Sequence, residues 1–378
     1  MPVQPPAHTG DPVSAIDTPA MVVDLDAYER NLDLMAAYVG SAGVVLRPHA
    51  KTHKSPVVAL DQIARGAVGQ CCQKVSEAEV LVDGGVSDVL VSNEIVGDAK
   101  VARLAALAAR ARIAVCADDA QQVAAYAKAA RAGNVVLHVL VEIDAGAARC
   151  GVAAGDAVVA LAQLIGAQNG LEFAGLQAYH GGAQHLRTPD ERIAAIAQAG
   201  EKVRTSLAAL QDASIACPVV TGAGTGTFTE EASSGIWTEL QAGSYCFMDA
   251  DYARNQVAAG SNVPQFEHAL FIAATVMSAT APGRAVVDAG HKAAAIDSGL
   301  PEVWLCDGVT YTQANDEHGL LAVADQVRQP CLGDRIWLVP GHIDPTVNLH
   351  DWYVGVRGGL IDGVVENVWP VAARGCVF

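Results

Sequence analysis

Residues 43–54 read GVVLRPHAKTHK. The apolar run GVVL has the β-branched content of a short buried strand. Five basic side chains follow at once: Arg47, His49, Lys51, His53 and Lys54. Basic groups set directly on a buried strand end form either a solvated loop or a site of chemistry. The answer depends on what the rest of the chain does with such strand ends.

Working outward, the same unit recurs. Short β-rich runs alternate with Ala-rich amphipathic stretches from Val44 onward. The strand candidates are GVVL, AVGQCC, DVLVS, RIAVC, VVLHVLVEI, FAGLQAY, PVVTG and GSYCF. Between them lie helical stretches such as VARLAALAARA and DERIAAIAQAGEKVRTSLAALQ. Eight βα units in roughly 200 residues predict an α/β fold, a TIM-type (β/α)8 barrel over residues 26–250. An open doubly wound sheet usually has fewer strands. Beyond about residue 255 the helical period fades, and short strands such as ALFIAATVMSAT, RIWLVP and WYVGVRGG are divided by Gly, Pro and Asp. This predicts a C-terminal all-β domain over residues 251–378. The early run AMVVDL is a ninth strand, for which a closed eight-strand barrel has no place. Residues 1–25 are therefore assigned to the β-domain.

Composition narrows the class. The chain has 378 residues, 51% of them hydrophobic, which suits two packed cores. A formal net charge of -17 argues against a grip on nucleic acid, which needs basic patches. The 9 cysteines include no CxxC pair, so neither a zinc ribbon nor a disulfide framework is indicated, and a reducing cytoplasm fits. The arm MPVQPPAHTGDP lacks the make-up of a signal peptide, and no apolar run reaches the roughly 18 residues of a membrane span.

In a barrel of this type chemistry gathers at the C-terminal strand ends. Lys51 follows the first strand, Gln73 the second and Asn93 the third; Glu142, Asp144 and Arg149 follow the fifth; Tyr179, His180 and His185 follow the sixth. The turn VVTGAGTGT, residues 219–227, follows the seventh, and GSY belongs to the eighth. Gly222, Gly224 and Gly226 let backbone N–H groups converge on an anion, at the usual phosphate position of the barrel. A phosphate cradle with a lysine at the end of strand one suggests pyridoxal 5'-phosphate held as a Schiff base. Lys54 competes with Lys51 for that role. In GHIDPTVN, residues 341–348, His342 and Asp344 follow a strand two apart, so period two sets them on one face. An imidazole with a carboxylate suits Mg²⁺ or Mn²⁺.

The stretches LRPHAKTHK, CCQKVSEAE, VEIDAGAARCGV, LQAYHGGAQH, TGAGTGT, ELQAGSYCFMDADY and HIDPTVNLHD span the chain. Together they resemble the D-threonine aldolase family, pyridoxal-phosphate enzymes with an alanine-racemase-type barrel and a C-terminal β-domain. The resemblance implies that Lys51 is the Schiff-base lysine, that Tyr179 lies on or beside the cofactor ring, and that Arg149 reaches the cofactor's phenolic oxygen or the substrate. It gives the phosphate to Gly224, Thr225, Gly243, Ser244 and Tyr245, with Gln73 and Thr221 also in the cofactor site. It implies that His185 is the base near the substrate hydroxyl and that His342 and Asp344 bind the metal. The implied reaction is metal-assisted retro-aldol cleavage of β-hydroxy-D-amino acids, D-threonine giving glycine and acetaldehyde. IDSGLP and HDWYVGVR are similar to a branch that cleaves 3-hydroxyaspartate to glycine and glyoxylate. D-serine dehydratases, a further branch, carry cysteine where Asp344 stands. The resemblance further implies a homodimer, with the β-domain of one subunit facing the barrel mouth of the other. With Lys51 on the barrel and His342 and Asp344 on the β-domain, the cofactor and metal sites are expected to be separable.

Overall fold

Strand β1 (Ala20–Asp24) ends in the residue that starts the next element: Asp24 accepts from the N–H groups of Asp26 and Ala27, capping the helix Leu25–Ala42. Gly43, left-handed at φ 70°, closes that helix and delivers the chain into the barrel. The structure is a computed structural model that describes residues 4–258, 260–261 and 263–378. Residues 1–3 of the Pro-rich arm, and 259 and 262 of the stretch assigned to the β-domain, lie outside the described residues.

Eight parallel strands form the barrel wall: β2 (Val45–Leu46), β3 (Gln70–Cys72), β4 (Asp88–Glu94), β5 (Arg112–Ala117), β6 (Leu137–Glu142), β7 (Leu171–Ala178), β8 (Val220–Gly222) and β9 (Glu239–Leu240). Their order is β2-β9-β8-β7-β6-β5-β4-β3. The end strands meet where Cys71 N–H donates to Pro48 O at 2.9 Å and Ala50 N–H to Cys71 O at 2.7 Å. Alternate residues of β4–β6 enter separate clusters. Val89, Val91, Ile113 and Val115 pack with the helices, whereas Leu90, Ala114, Cys116 and Leu140 join Cys71 and Ala174. The second set is small for a barrel interior, and the upper end is left to polar side chains.

One predicted strand is corrected. The eighth barrel strand is Glu239–Leu240, and Ser244–Cys246 in GSYCF is a 3-10 turn with Met248 N–H donating to Ser244 O at 2.8 Å. Tyr245, Cys246 and Phe247 are apolar because they are buried, Phe247 against Tyr28 at 5.7 Å between ring centroids. Burial without pairing gave that segment a strand's composition.

Beyond the barrel come β10 (Leu270–Ala281), β11 (Arg284–Val287), β12 (Glu302–Trp304), β13 (Val309–Ala314), β14 (Gly319–Val323), β15 (Arg335–Val339), β16 (Trp352–Arg357) and β17 (Val364–Pro370). With β1 they build a sheet of order β13-β14-β11-β10-β1-β16-β17, with β15 on β10 and β12 on β15. β1 runs antiparallel to β10 and parallel to β16. Sequence reading passes over β12 and β13. The first has three residues, and the second alternates buried Val309 and Tyr311 with exposed Thr310 and Thr312, so it contains no apolar run.

The barrel depends on close backbone approach at Gly175 in β7. Its φ is +133°, and a Cβ there would stand 2.0 Å from Val219 O. The β6–β7 ladder shifts register at this point. Gly175→Ala is expected to destabilise the protein by roughly 1–3 kcal/mol. Thermal or denaturant unfolding checks this, and an unmoved midpoint rejects it.

Candidate active site

The basic stretch after β2 is not solvated. Arg47 is buried, paired with Asp88 at 2.7 Å and Glu239 at 3.0 Å. His53 is fully buried, and its backbone oxygen accepts from Tyr353 Oη at 2.7 Å. Lys54 adopts φ 48° and buries its ammonium on Glu77 Oε1 at 2.5 Å. His49 is buried, 2.9 Å from the Gln73 amide and 3.2 Å from Ser92 Oγ. Burial, then the Lys51 charge, lowers its pKa well below the usual imidazole range. Lys51 differs from Lys54: its side chain is 42% exposed and opens into a cavity.

That cavity, of about 420 Å³, occupies the C-terminal end of the barrel. It brings together Lys51, Gln73, Arg149, Tyr179, His185, Gly224, Thr225, Gly243 and Ser244. Two expected members stand directly behind the lining rather than in it. Thr221 is fully buried and accepts from Gln241 Nε2 at 2.9 Å. The Tyr245 ring is buried against Phe266, with its hydroxyl accepting from Gln62 at 3.2 Å. Sequence reading missed His49, Thr52, Ser92, Gln177, Gln241 and Tyr252, which also line the cavity. One of these was signalled: Gln177 stands two residues before Tyr179, hence on the same face. A cleft of about 390 Å³ behind Thr225 and Gly226 holds no lysine or histidine among its described lining residues.

The glycine turn after β8 is pinned from outside. Gln184 Oε1 accepts from Gly226 N–H at 3.1 Å, and its Nε2 donates to Thr227 Oγ1 at 2.7 Å. Thr225 Oγ1 accepts from Tyr245 N–H at 3.1 Å and ties this turn to the segment after β9. The N–H groups of Gly224, Thr225 and Gly243 find no acceptor among the described residues. A Cβ at Gly243 would lie 2.7 Å from His49 O and 2.8 Å from Thr52 Oγ1, so only glycine passes so close to the Lys51 loop. The arrangement offers an anion convergent backbone donors.

His342 and Asp344 are not on a strand. His342 caps a short helix, Ile343–Val347, and Asp344 lies in its first turn. Asp249 holds this turn by accepting from Ile343 N–H at 3.1 Å. His342 Nδ1 is 2.7 Å from Asp297 Oδ2, which leaves Nε2 with a free lone pair. Asp344 Oδ2 accepts from Lys51 Nζ at 2.6 Å, and its Oδ1 is buried without a partner. Burial alone would raise the Asp344 carboxyl, but Lys51 and then His342 outweigh it and hold it well below the carboxylate range. In turn Asp344, against burial, holds the Lys51 ammonium above the ordinary lysine range. The residues expected to hold cofactor and metal are therefore in direct contact at this pair, although they come from different parts of the chain. Charge pairing across the domain junction draws them together.

Arg149 is exposed, 5.8 Å above the Tyr179 ring and 3.9 Å from Glu142 Oε1. Glu142 is buried, and burial together with Glu94 pushes its carboxyl up to about 9. Among the described residues the group of three potential ligands within 4.8 Å is Glu94, Asp118 and Cys150, which includes neither His342 nor Asp344. No helix among the described residues is long and apolar enough to cross a membrane.

Comparison with known proteins covers nearly the whole chain. The family model "Alanine racemase, N-terminal domain" matches residues 23–251, and "Putative serine dehydratase domain" matches residues 269–356. A D-threonine aldolase of an Arthrobacter species is 47% identical over 98% of this chain and 96% of its own length. A 3-hydroxy-D-aspartate aldolase of Paracoccus denitrificans is 47% identical over 98% of this chain and 95% of its own. The crystal structure of a D-threonine aldolase from Filomicrobium marinum superposes with a TM-score of 0.96 at 53% identity, covering 99% of this chain and 100% of that one.

Proposed function

Because the chain belongs to the D-threonine aldolase family, with its alanine-racemase-type fold, we propose that it is a lyase dependent on pyridoxal phosphate and a divalent metal, cleaving β-hydroxy-D-amino acids to glycine and an aldehyde. The observation that carries this reading is the 2.6 Å contact between Lys51 Nζ and Asp344 Oδ2. It sets an amine beside an acidic oxygen that has a free lone pair, at the floor of a polar cavity.

The residues present fit both groups. The unpaired N–H groups of Gly224, Thr225 and Gly243, with the Ser244 hydroxyl, suit a phosphate. Tyr179 forms a wall, and Gln73 is the polar neighbour of His49. Buried Asp344 Oδ1 and His342 Nε2 are one hard and one borderline donor, a set for Mg²⁺ or Mn²⁺. Bound there, pyridoxal phosphate supplies an electron sink for the carbon–carbon bond that breaks, and a divalent ion lowers the pKa of the β-hydroxyl. Lys51 provides the amine that anchors the cofactor. Arg149, whose guanidinium is 3.9 Å from Glu142 Oε1, is available to the substrate carboxylate or the phenolic oxygen. His185, on the cavity wall, is the base that takes the hydroxyl proton.

Residues 26–250 form the cofactor unit in this reading, and residues 251–378 with the N-terminal strand form the metal-side unit. The working form is a cytoplasmic homodimer. All nine cysteines are free, as a reducing compartment requires.

Asp344 offers oxygen where the dehydratase branch carries a thiol, which favours cleavage over elimination. The second reading, 3-hydroxyaspartate as substrate, is supported by equal identity to the Paracoccus aldolase. Specificity constants for D-threonine, L-threonine and D-3-hydroxyaspartate decide between them. D-threonine is expected to lead, with L-threonine inert. Equal cleavage of both threonine enantiomers rejects the D preference, and a large excess for D-3-hydroxyaspartate moves the chain to the second reading.

A further inference from the structure

Asp251 lies at the exit of the barrel, in the short helix Ala250–Ala253, and is buried. Its Oδ2 is 2.5 Å from His185 Nδ1. Its Oδ1 accepts from Arg187 NH2 at 2.5 Å and from Arg254 NH2 at 3.1 Å. Neither arginine is free to move away. Arg187 NH1 also donates to Asp251 O and to Asn255 Oδ1, both at 2.7 Å, and Arg254 NH2 to Ser298 O at 2.8 Å. Tyr252 stacks on the His185 ring, centroids 5.6 Å apart and planes at 24°. The imidazole is thus fixed in both plane and direction, although its side chain is 48% exposed at the cavity.

We infer that Asp251 is the positioning residue of the reaction: it fixes His185 as the Nδ1–H tautomer, so that Nε2 meets the substrate hydroxyl as an acceptor. This rests on His185 being the base in the function proposed above. A carboxylate can only accept, so the nitrogen facing it must carry the proton. Burial opposes ionisation of Asp251, but Arg187 and His185 outweigh it and hold the carboxyl below its usual range. The two arginines also fix what a substitution would do. They demand an oxygen at the Oδ1 position. In Asp251→Asn the amide must keep its oxygen toward them and turn its NH₂ to His185. The amide then donates to Nδ1, and the proton moves to Nε2, where it points at the hydroxyl it should accept from.

The experiment uses the full chain labelled with ¹⁵N-histidine, without added ligand, with the His185 signals assigned by their loss in His185→Asn. The wild type is expected to show Nδ1–H and Asp251→Asn to show Nε2–H. With cofactor and Mn²⁺ restored, kcat of Asp251→Asn should fall by roughly 10²–10⁴-fold, the range a general base contributes, with KM little changed. An Nε2–H tautomer in the wild type overturns the inference, and so does an unchanged kcat in Asp251→Asn. Should that variant not fold, the wild-type tautomer decides alone. Full turnover by His185→Asn would instead remove the base from the proposed function. Loss in His185→Asn with none in Asp251→Asn rejects only the positioning role.

Discussion

Lys51→Ala lowers turnover of a β-hydroxy-D-amino acid by roughly 10⁴–10⁶-fold, the scale on which losing a covalent nucleophile acts. The fold survives, because among the described residues Lys51 Nζ has one partner, Asp344, and its side chain opens to the cavity rather than to the core. Lys54→Ala behaves in the opposite way. It removes a buried partner of Glu77 and costs stability, while the amine that reacts stays in place. A chemical readout separates the two lysines without relying on rate. Protein loaded with pyridoxal phosphate and reduced with borohydride should carry the label on the peptide containing Lys51. Label recovered on Lys54, or full turnover by Lys51→Ala, would sink the assignment.

The second large effect concerns the metal. Chelation should reduce aldehyde release by roughly a thousandfold, since an ion that polarises the hydroxyl contributes several kcal/mol to the barrier. Bound pyridoxal phosphate, measured after gel filtration, should remain. The contact between Asp344 and Lys51 makes chelation the cleaner experiment. Asp344→Ala removes a metal ligand and the lysine's counter-charge together, so it is expected to weaken cofactor retention as well as abolish cleavage. Asp344→Cys should shift metal preference toward zinc, because thiolate is the softer donor. Cleavage of D-threonine at an undiminished rate in the chelated enzyme would make the ion structural and defeat the mechanism.

Much of this is legible in the sequence, for physical reasons. Seven of the barrel strands announce themselves because each is an apolar run followed by an amphipathic helix. The eighth does not, since Glu239–Leu240 is too short for any period and the buried turn beside it has a strand's composition. The cavity residues of the glycine turn are legible from the turn chemistry. Thr221 does not line the cavity, and nothing in its spacing reveals that its hydroxyl is taken by Gln241, which does. His342 and Asp344 are legible as a pair, although the backbone that carries them is a helix start and not a strand. Asp251 is not legible at all: its partner His185 is 66 positions away, and no local pattern marks a carboxylate as the orienter of a distant imidazole.

The position of β1 has a consequence for biosynthesis. Its partners β10 and β16 begin at Leu270 and Trp352, so at about 5–20 residues per second the ribosome supplies the first of them roughly 12–50 s after Asp24. Throughout that interval the nascent chain displays AMVVD with both edges unpaired, a segment able to pair with another copy. The last barrel strand, ending at Leu240, is synthesised before the first partner of β1, which starts at Leu270. The sheet cannot be completed, nor Asp344 delivered to Lys51, before the C-terminal third of the chain has been synthesised.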